Sequence, residues 1–203
     1  MNEKNPNQSG KKTTAEDYLA AERGGVVRSE FIDGRVVERP ESNRWHNLIV
    51  SNTAIIIGGR IQGHKCDIYI SDMRVKFKNG SISYPDLVIV NGEPSFGDAR
   101  MDLLLNPTVV IEIFSSNTDT AGKSRKLESF LELDSIKECL LIKQDEMRVE
   151  HYAKQNHKQW IYRIYNERDD VISLDSVTCK LSLQEIYAQI KLGHQLLSST
   201  AAN

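Results

Sequence analysis

Along this chain the spacing of apolar positions changes several times, and each change marks an element. In "TTAEDYLAAE" a polar start leads into a short helix, with Thr13 or Thr14 as N-cap and Glu16 and Asp17 in the first turn, where acids suit the helix dipole. "SEFIDGRVVER" predicts a hairpin, with Asp33-Gly34 as the turn pair between β-prone runs. In "NRWHNLIVSNTAIIIGGRIQ", Trp45, Leu48, Ile49, Asn52, Ile55, Ile56 and Gly59 recur at helical spacing. "CDIYISDMRVKFK" alternates and predicts one strand with a bulge near Asp72. "DLVIV" and "TVVIEIF" are unbroken β-branched runs, as in central strands covered on both faces. "TAGKSRKLESFLEL" predicts a helix capped by Asp119 or Thr120, with Leu127, Phe130 and Leu131 facing inward. "ECLLIK" reads as another core strand. "MRVEHYAK", "KQWIYRIYN" and "VISL" read as an antiparallel C-terminal meander, and "SLQEIYAQIK" as a closing helix. The expected fold class is α/β (α+β): a mixed central sheet flanked by helices.

Length and charge narrow this picture only a little. The 203 residues suffice for one domain with a sizeable core, expected over 13–197 with polar, disordered tails at 1–12 and 198–203. A net charge of −2 argues against a highly basic nucleic-acid coat protein, yet 26 Lys and Arg leave room for a local basic cleft. Neither a long apolar span nor an apolar leader is evident, so a cytoplasmic protein without membrane contact is expected. Cys66, Cys139 and Cys179 are too widely spaced for a zinc site and read as reduced thiols.

The candidate chemistry lies in two acids inside apolar strands, Asp86 in "YPDLVIV" and Glu112 in "VVIEIF". A carboxylate in such surroundings is costly unless something pairs with it. If the two strands are neighbours, the acids converge, and a hard divalent cation would relieve their repulsion. Mg²⁺ commonly uses one or two carboxylates together with phosphate oxygens of a substrate. Acids at strand ends also serve as plain surface charges, a description that fits Asp86 better than Glu112.

The ordered set "SEFIDGRVV", "RWHNLI", "YPDLVIV" and "NPTVVIEIFSSNT…K" resembles the Uma family, within the PD-(D/E)XK superfamily of restriction-endonuclease-like nucleases, over about residues 13–192. The resemblance implies a restriction-endonuclease-like fold and metal-dependent phosphodiester hydrolysis. Asp86 matches the Asp of the "PD" motif and Glu112 the acid of the second half-motif. Glu30 matches a further acid near the site, though it also reads as a charge on an edge strand. His46 matches a histidine at the head of the long helix, where it would order a phosphate or water or serve the helix start alone. The superfamily's usual lysine position is Phe114 here, and Gly122 stands where the family carries Asp. The family's lysine instead falls on Lys126, in the following helix.

Helical geometry leaves two lysines open. Lys123 lies within the apolar face of that helix and Lys126 borders it beside Phe130, so either ammonium can reach the strand ends. The family match favours Lys126. As a residue bordering the face, it is expected to contribute little to stability.

The resemblance thus implies a nuclease in which Asp86 and Glu112 hold Mg²⁺, with Mn²⁺ as substitute, Lys126 and Glu30 assist, and nucleic acid, DNA before RNA, is the partner. Arg60, Lys76 and Lys78 are candidate strand contacts from local charge. A homodimer is expected because cutting a duplex commonly takes two sites. The alternative is a binding or interaction protein that has lost catalysis, supported by Phe114.

Overall fold

The computed structural model describes residues 13–39, 42–61, 63, 65–116, 118 and 120–192. The expected tails lie outside these residues, as does Asp119. Helix α1 (Ala15–Gly24) opens the fold. Thr14 caps it through a reciprocal box in which its side chain takes the Asp17 N–H and Asp17 reaches back to the Thr14 N–H. Strands β1 (Ser29–Ile32) and β2 (Arg35–Glu38) form the expected hairpin. Asp33 and Gly34 both have positive φ, 51° and 78°, the backbone demanded by a tight turn whose twist matches its strands. Helix α2 (Arg44–Arg60) follows, capped by Asn43.

The alternating run at 66–78 is two strands rather than one bulged strand. β3 (Cys66–Ile70) and β4 (Arg74–Lys76) belong to different sheets. Ser71, at φ 61°, turns the chain between them, and its N–H is held by the Asp86 carbonyl at 2.9 Å. After β5 (Ile82–Ser83), β6 (Leu87–Asn91) and β7 (Leu103–Leu104), strand β8 (Val109–Phe114) leads through α3 (Thr120–Glu132) into β9 (Glu138–Lys143). β8 and β9 are parallel, so α3 is the crossover of a β-α-β unit. β10 (Val149–Asn156) and β11 (Gln159–Tyr165) continue antiparallel.

The meander stops there. Asp170 accepts the N–H groups of Asn166 and Glu167, each at 2.9 Å, and this turn redirects the chain. β12 (Val171–Leu174) therefore pairs with β13 (Cys179–Ser182) in a separate ribbon, joined by the 3-10 turn Asp175–Val177. The closing helix, α4, covers only Leu183–Ile186, and Gln189 at φ 65° ends the expected continuation.

The six-stranded sheet runs β11-β10-β9-β8-β6-β3 and the five-stranded sheet β2-β1-β5-β4-β7, so the mixed α/β fold with helices on its faces is as expected. Two cores flank the six-stranded sheet. On one face Ile111 and Ile113 pack with Ile49 and Ile57 of α2 and with the β12–β13 ribbon. On the other, Val110 and Leu141 pack with Phe130 of α3 and with Val75 and Leu104 of the second sheet. Phe130 is fully buried; Phe130→Ala would cost about 3–5 kcal/mol. Asp86 and Glu112 look into the seam between the two sheets and α3.

Candidate active site

Pro85 carries no N–H and sits just before β6, where no ladder donor is needed. Asp86 follows it, only 1% exposed. The β6–β8 register pairs Leu87 with Ile111; continued by one residue, it sets Asp86 opposite Glu112. Side chains directly opposite in antiparallel strands share a face. Asp86 Oδ2 accepts the N–H of Ile113 at 2.8 Å, which locks its carboxylate against β8. Oδ1 accepts from Arg39 Nη2 at 2.6 Å and lies 3.2 Å from His46 Nε2. Burial pushes the Asp86 pKa upward, but His46, the Ile113 amide and Arg39 outweigh it, and the carboxyl sits below its ordinary range.

Glu112 has a different environment. Its Oε1 lies 2.6 Å from Lys126 Nζ, a short, buried ion pair. Burial, and the nearby charges of Asp86 and Glu30, raise the Glu112 pKa to about 8 although Lys126 pulls it down. Glu30, on β1, accepts from Lys126 Nζ at 3.0 Å and from the Tyr84 N–H at 3.1 Å through the same oxygen, Oε1. One ammonium therefore joins β1 of one sheet to β8 of the other. Burial lowers the Lys126 pKa, but Glu112, Glu30 and Asp86 more than offset this, and it stays protonated.

Lys123 goes elsewhere. Its Nζ lies 3.7 Å from the centre of the Phe114 ring and 3.3 Å from Glu150 Oε2. Of the two lysines left open by helical geometry, Lys126 reaches Glu112. Lys126 contacts two largely buried acids, which gives it more to hold than a lysine bordering a helix face. Asp33 is a turn residue. Arg60 lies at the opposite end of α2 from His46, about 21 Å along the axis, bound to Glu185 and the Lys180 carbonyl. Lys76 is exposed and Lys78 rests 3.6 Å from Asp134.

Sequence reasoning missed Arg39 and Glu150. Nothing in the spacing of "VVERPE" singles out Arg39; only the need of buried Asp86 for a cation pointed to it. Glu150 had a usable signal: in "MRVEHYAK" it alternates onto the same face as Arg148 and Tyr152, an acid in a core strand like Glu112. Among the described residues no group of three or more His, Cys, Asp or Glu side chains forms a ready-made metal cage, so any metal here would rest on Asp86 and Glu112 with oxygens from elsewhere.

A family model described as "Putative restriction endonuclease", Uma2, matches residues 15–185. The chain belongs to the Uma2 family. Two Synechocystis sp. (strain ATCC 27184 / PCC 6803 / Kazusa) proteins resemble this Uma2 chain. "Uncharacterized protein sll1609" is 31% identical over 149 residues, 73% of this chain and 84% of its own. "Uncharacterized protein slr1290" is 22% identical over 177 residues, 87% of this chain and 92% of its own. Among solved structures, "a putative nuclease belonging to DUF820" from Anabaena variabilis ATCC 29413 shares the fold at a TM-score of 0.73, with 19% identity over 88% of this chain and 99% of that one. Glu30, Asp86, Glu112 and Lys126 all lie inside the segment that matches the Uma2 model. No helix among the described residues is long and apolar enough to cross a membrane.

Proposed function

We propose that this Uma2 protein is a metal-dependent endonuclease that hydrolyses phosphodiester bonds of nucleic acid, DNA before RNA, with Mg²⁺ as cation and Mn²⁺ as substitute. The observation that carries this reading is Lys126, an ammonium fixed between Glu112 and Glu30 beside Asp86. Asp86, Glu112 and Glu30 gather around Arg39, His46 and Lys126, and burial with the neighbouring acids holds the Glu112 pKa up at about 8. A hard divalent cation would relieve the mutual repulsion of Asp86 and Glu112 and favour the ionised form of Glu112.

Asp86 and Glu112 would hold it. When bound, such a cation supplies Lewis-acid polarisation of a phosphoryl oxygen and acidifies water. Lys126 presents a fixed positive charge to the negative charge that develops on the phosphate. Its position costs no reorganisation at the moment of reaction, because Glu30 is itself anchored by the Tyr84 N–H. Asp86 is kept ionised by His46, the Ile113 amide and Arg39, and so is ready as a ligand without first losing a proton.

A second reading, a nucleic-acid-binding protein that no longer cuts, draws on the same Asp86: both of its oxygens already have partners within the chain. Incubating supercoiled plasmid with the protein in Mg²⁺, Mn²⁺ or EDTA separates the two. Nicked and linear products in metal, absent in EDTA and absent with Asp86→Ala, are expected. Binding without cleavage in either metal would hand the case to the second reading.

A further inference from the structure

Glu112 has a counterpart in its own row of the sheet. The registers of β8, β9 and β10 place Glu112, Leu141 and Glu150 side by side on the face covered by α3. Glu150 is two strands from Glu112, about 10 Å away, roughly the rise of three nucleotides. The next row toward the end of β8 on that face is Phe114, Lys143 and Arg148. Into this row α3 delivers Lys123, with its ammonium on the Phe114 ring.

Lys123 and Arg148 share one carboxylate: each approaches Glu150 to 3.3 Å. Two positive charges thus meet a single negative one, next to the acids of the candidate site. Lys143 has its own partner, Glu146 at 2.7 Å, on the exposed rim, and adds no excess. Glu150, its side chain 11% exposed, is held on β10 between β9 and β11, while the cations it holds are 24% and 28% exposed and open to solvent. A surplus positive charge that is held still yet reaches water is what an anion needs. None of these groups takes part in the chemistry proposed above.

We propose that Lys123 and Arg148, aligned by Glu150, form a binding station for a backbone phosphate one to three nucleotides from the scissile one. This rests on the nuclease reading and extends it from the reacting phosphate to the strand that carries it. Lys123 and Arg148 bind substrate; Glu150 is a positioning residue. In this arrangement Phe114, at the superfamily's lysine position, serves as the seat of a lysine from the helix.

The test is the salt dependence of binding to a short fluorescent DNA duplex in EDTA, where nothing is cut. Each lost phosphate contact lowers the slope of log K against log salt by about 0.9. Lys123→Ala and Arg148→Ala should each show that drop and weaker binding, while Lys123→Arg keeps the wild-type slope. Lys123→Gln serves if the alanine variant does not fold. Glu150→Gln should bind at least as tightly as wild type, yet lose about 10-fold or more in kcat at saturating DNA in Mg²⁺, through misplacement of the strand. Wild-type slopes in Lys123→Ala and Arg148→Ala, with only melting temperatures lowered, would mean that the cluster merely pins α3 to β10, and this inference alone falls. A wild-type protein that binds no duplex overturns this inference, while the plasmid assay in metal decides the nuclease reading separately.

Discussion

Lys126→Met removes one charge and keeps most of the side chain's bulk. Its cost should depend on pH in a way set by Glu112. Two partners lose the ammonium: Glu30 at 3.0 Å and Glu112 at 2.6 Å. The Glu30 contact is a charge-assisted hydrogen bond at a site 13% exposed on the carboxylate and 23% on the lysine, so solvent screening trims it to about 1 kcal/mol. The Glu112 contribution depends on whether Glu112 is ionised. With a folded pKa of about 8 it is protonated at pH 6 and loses little. At pH 9 it is mostly ionised in wild type but would be kept protonated in the variant, one pH unit above the wild-type pKa, an added cost of about 1.4 kcal/mol. Destabilisation should therefore be about 1 kcal/mol at pH 6 and about 2–3 kcal/mol at pH 9, the latter a fall of about 5–10 °C in Tm. Urea and thermal melts followed by circular dichroism in EDTA measure both. In a Glu112→Gln background Lys126→Met should cost the same at the two pH values, which isolates the pair. A pH-independent cost in the otherwise wild-type protein, or none at all, would show that Lys126 does not hold the two carboxylates.

Glu112→Gln alone should change the pH dependence of stability. The folded pKa, about 8, lies above the ordinary 4.5, so the unfolded chain gives up this proton first and metal-free wild type loses stability as pH rises from about 4.5 to about 8. Residual solvent access limits the loss to about 2–3 kcal/mol; Glu112→Gln should lack it, and parallel Tm–pH curves for the two proteins would refute the assignment. Added Mg²⁺ should raise wild-type Tm in step with RT ln(1 + [Mg²⁺]/Kd), about 2.7 kcal/mol at 100-fold excess over Kd, and should do so far less for Asp86→Ala. Equal responses in a thermal-shift titration would place the cation elsewhere.

Patterning revealed the elements more readily than their partners. Unbroken apolar runs identified β6, β8 and β9 as buried strands because burial on both faces removes polar alternation. The division at Ser71 was hidden, since "CDIYISDMRVKFK" alternates across the corner and only a positive φ marks it. β5 and β7, two residues each, are too short for any period to register. At the site, the acids were legible as charges in apolar strands, and the lysine only as a pair of possibilities one helical turn apart. Spacing alone did not choose between them; the family resemblance favoured Lys126, and in the fold Lys126 goes to Glu112 and Lys123 onto Phe114. Arg39 was out of reach because its meeting with Asp86 spans 47 residues and depends on how the two sheets face each other.

The β8–α3–β9 crossover has a bearing on the order in which this protein becomes competent. Glu112 and Lys126 are brought together by one local unit, whereas Glu30 finds Lys126 across 96 residues. During synthesis the ribosome releases Glu30, Arg39 and Asp86 well before Lys126, so a nascent chain carries these groups without the ammonium. Long-range closures form late, because their loop entropy must be met before any contact repays it. A half-made or partly opened molecule then holds an incomplete cluster. For a chain with the proposed activity, this confines cutting to fully assembled copies and spares the nucleic acid around the ribosome.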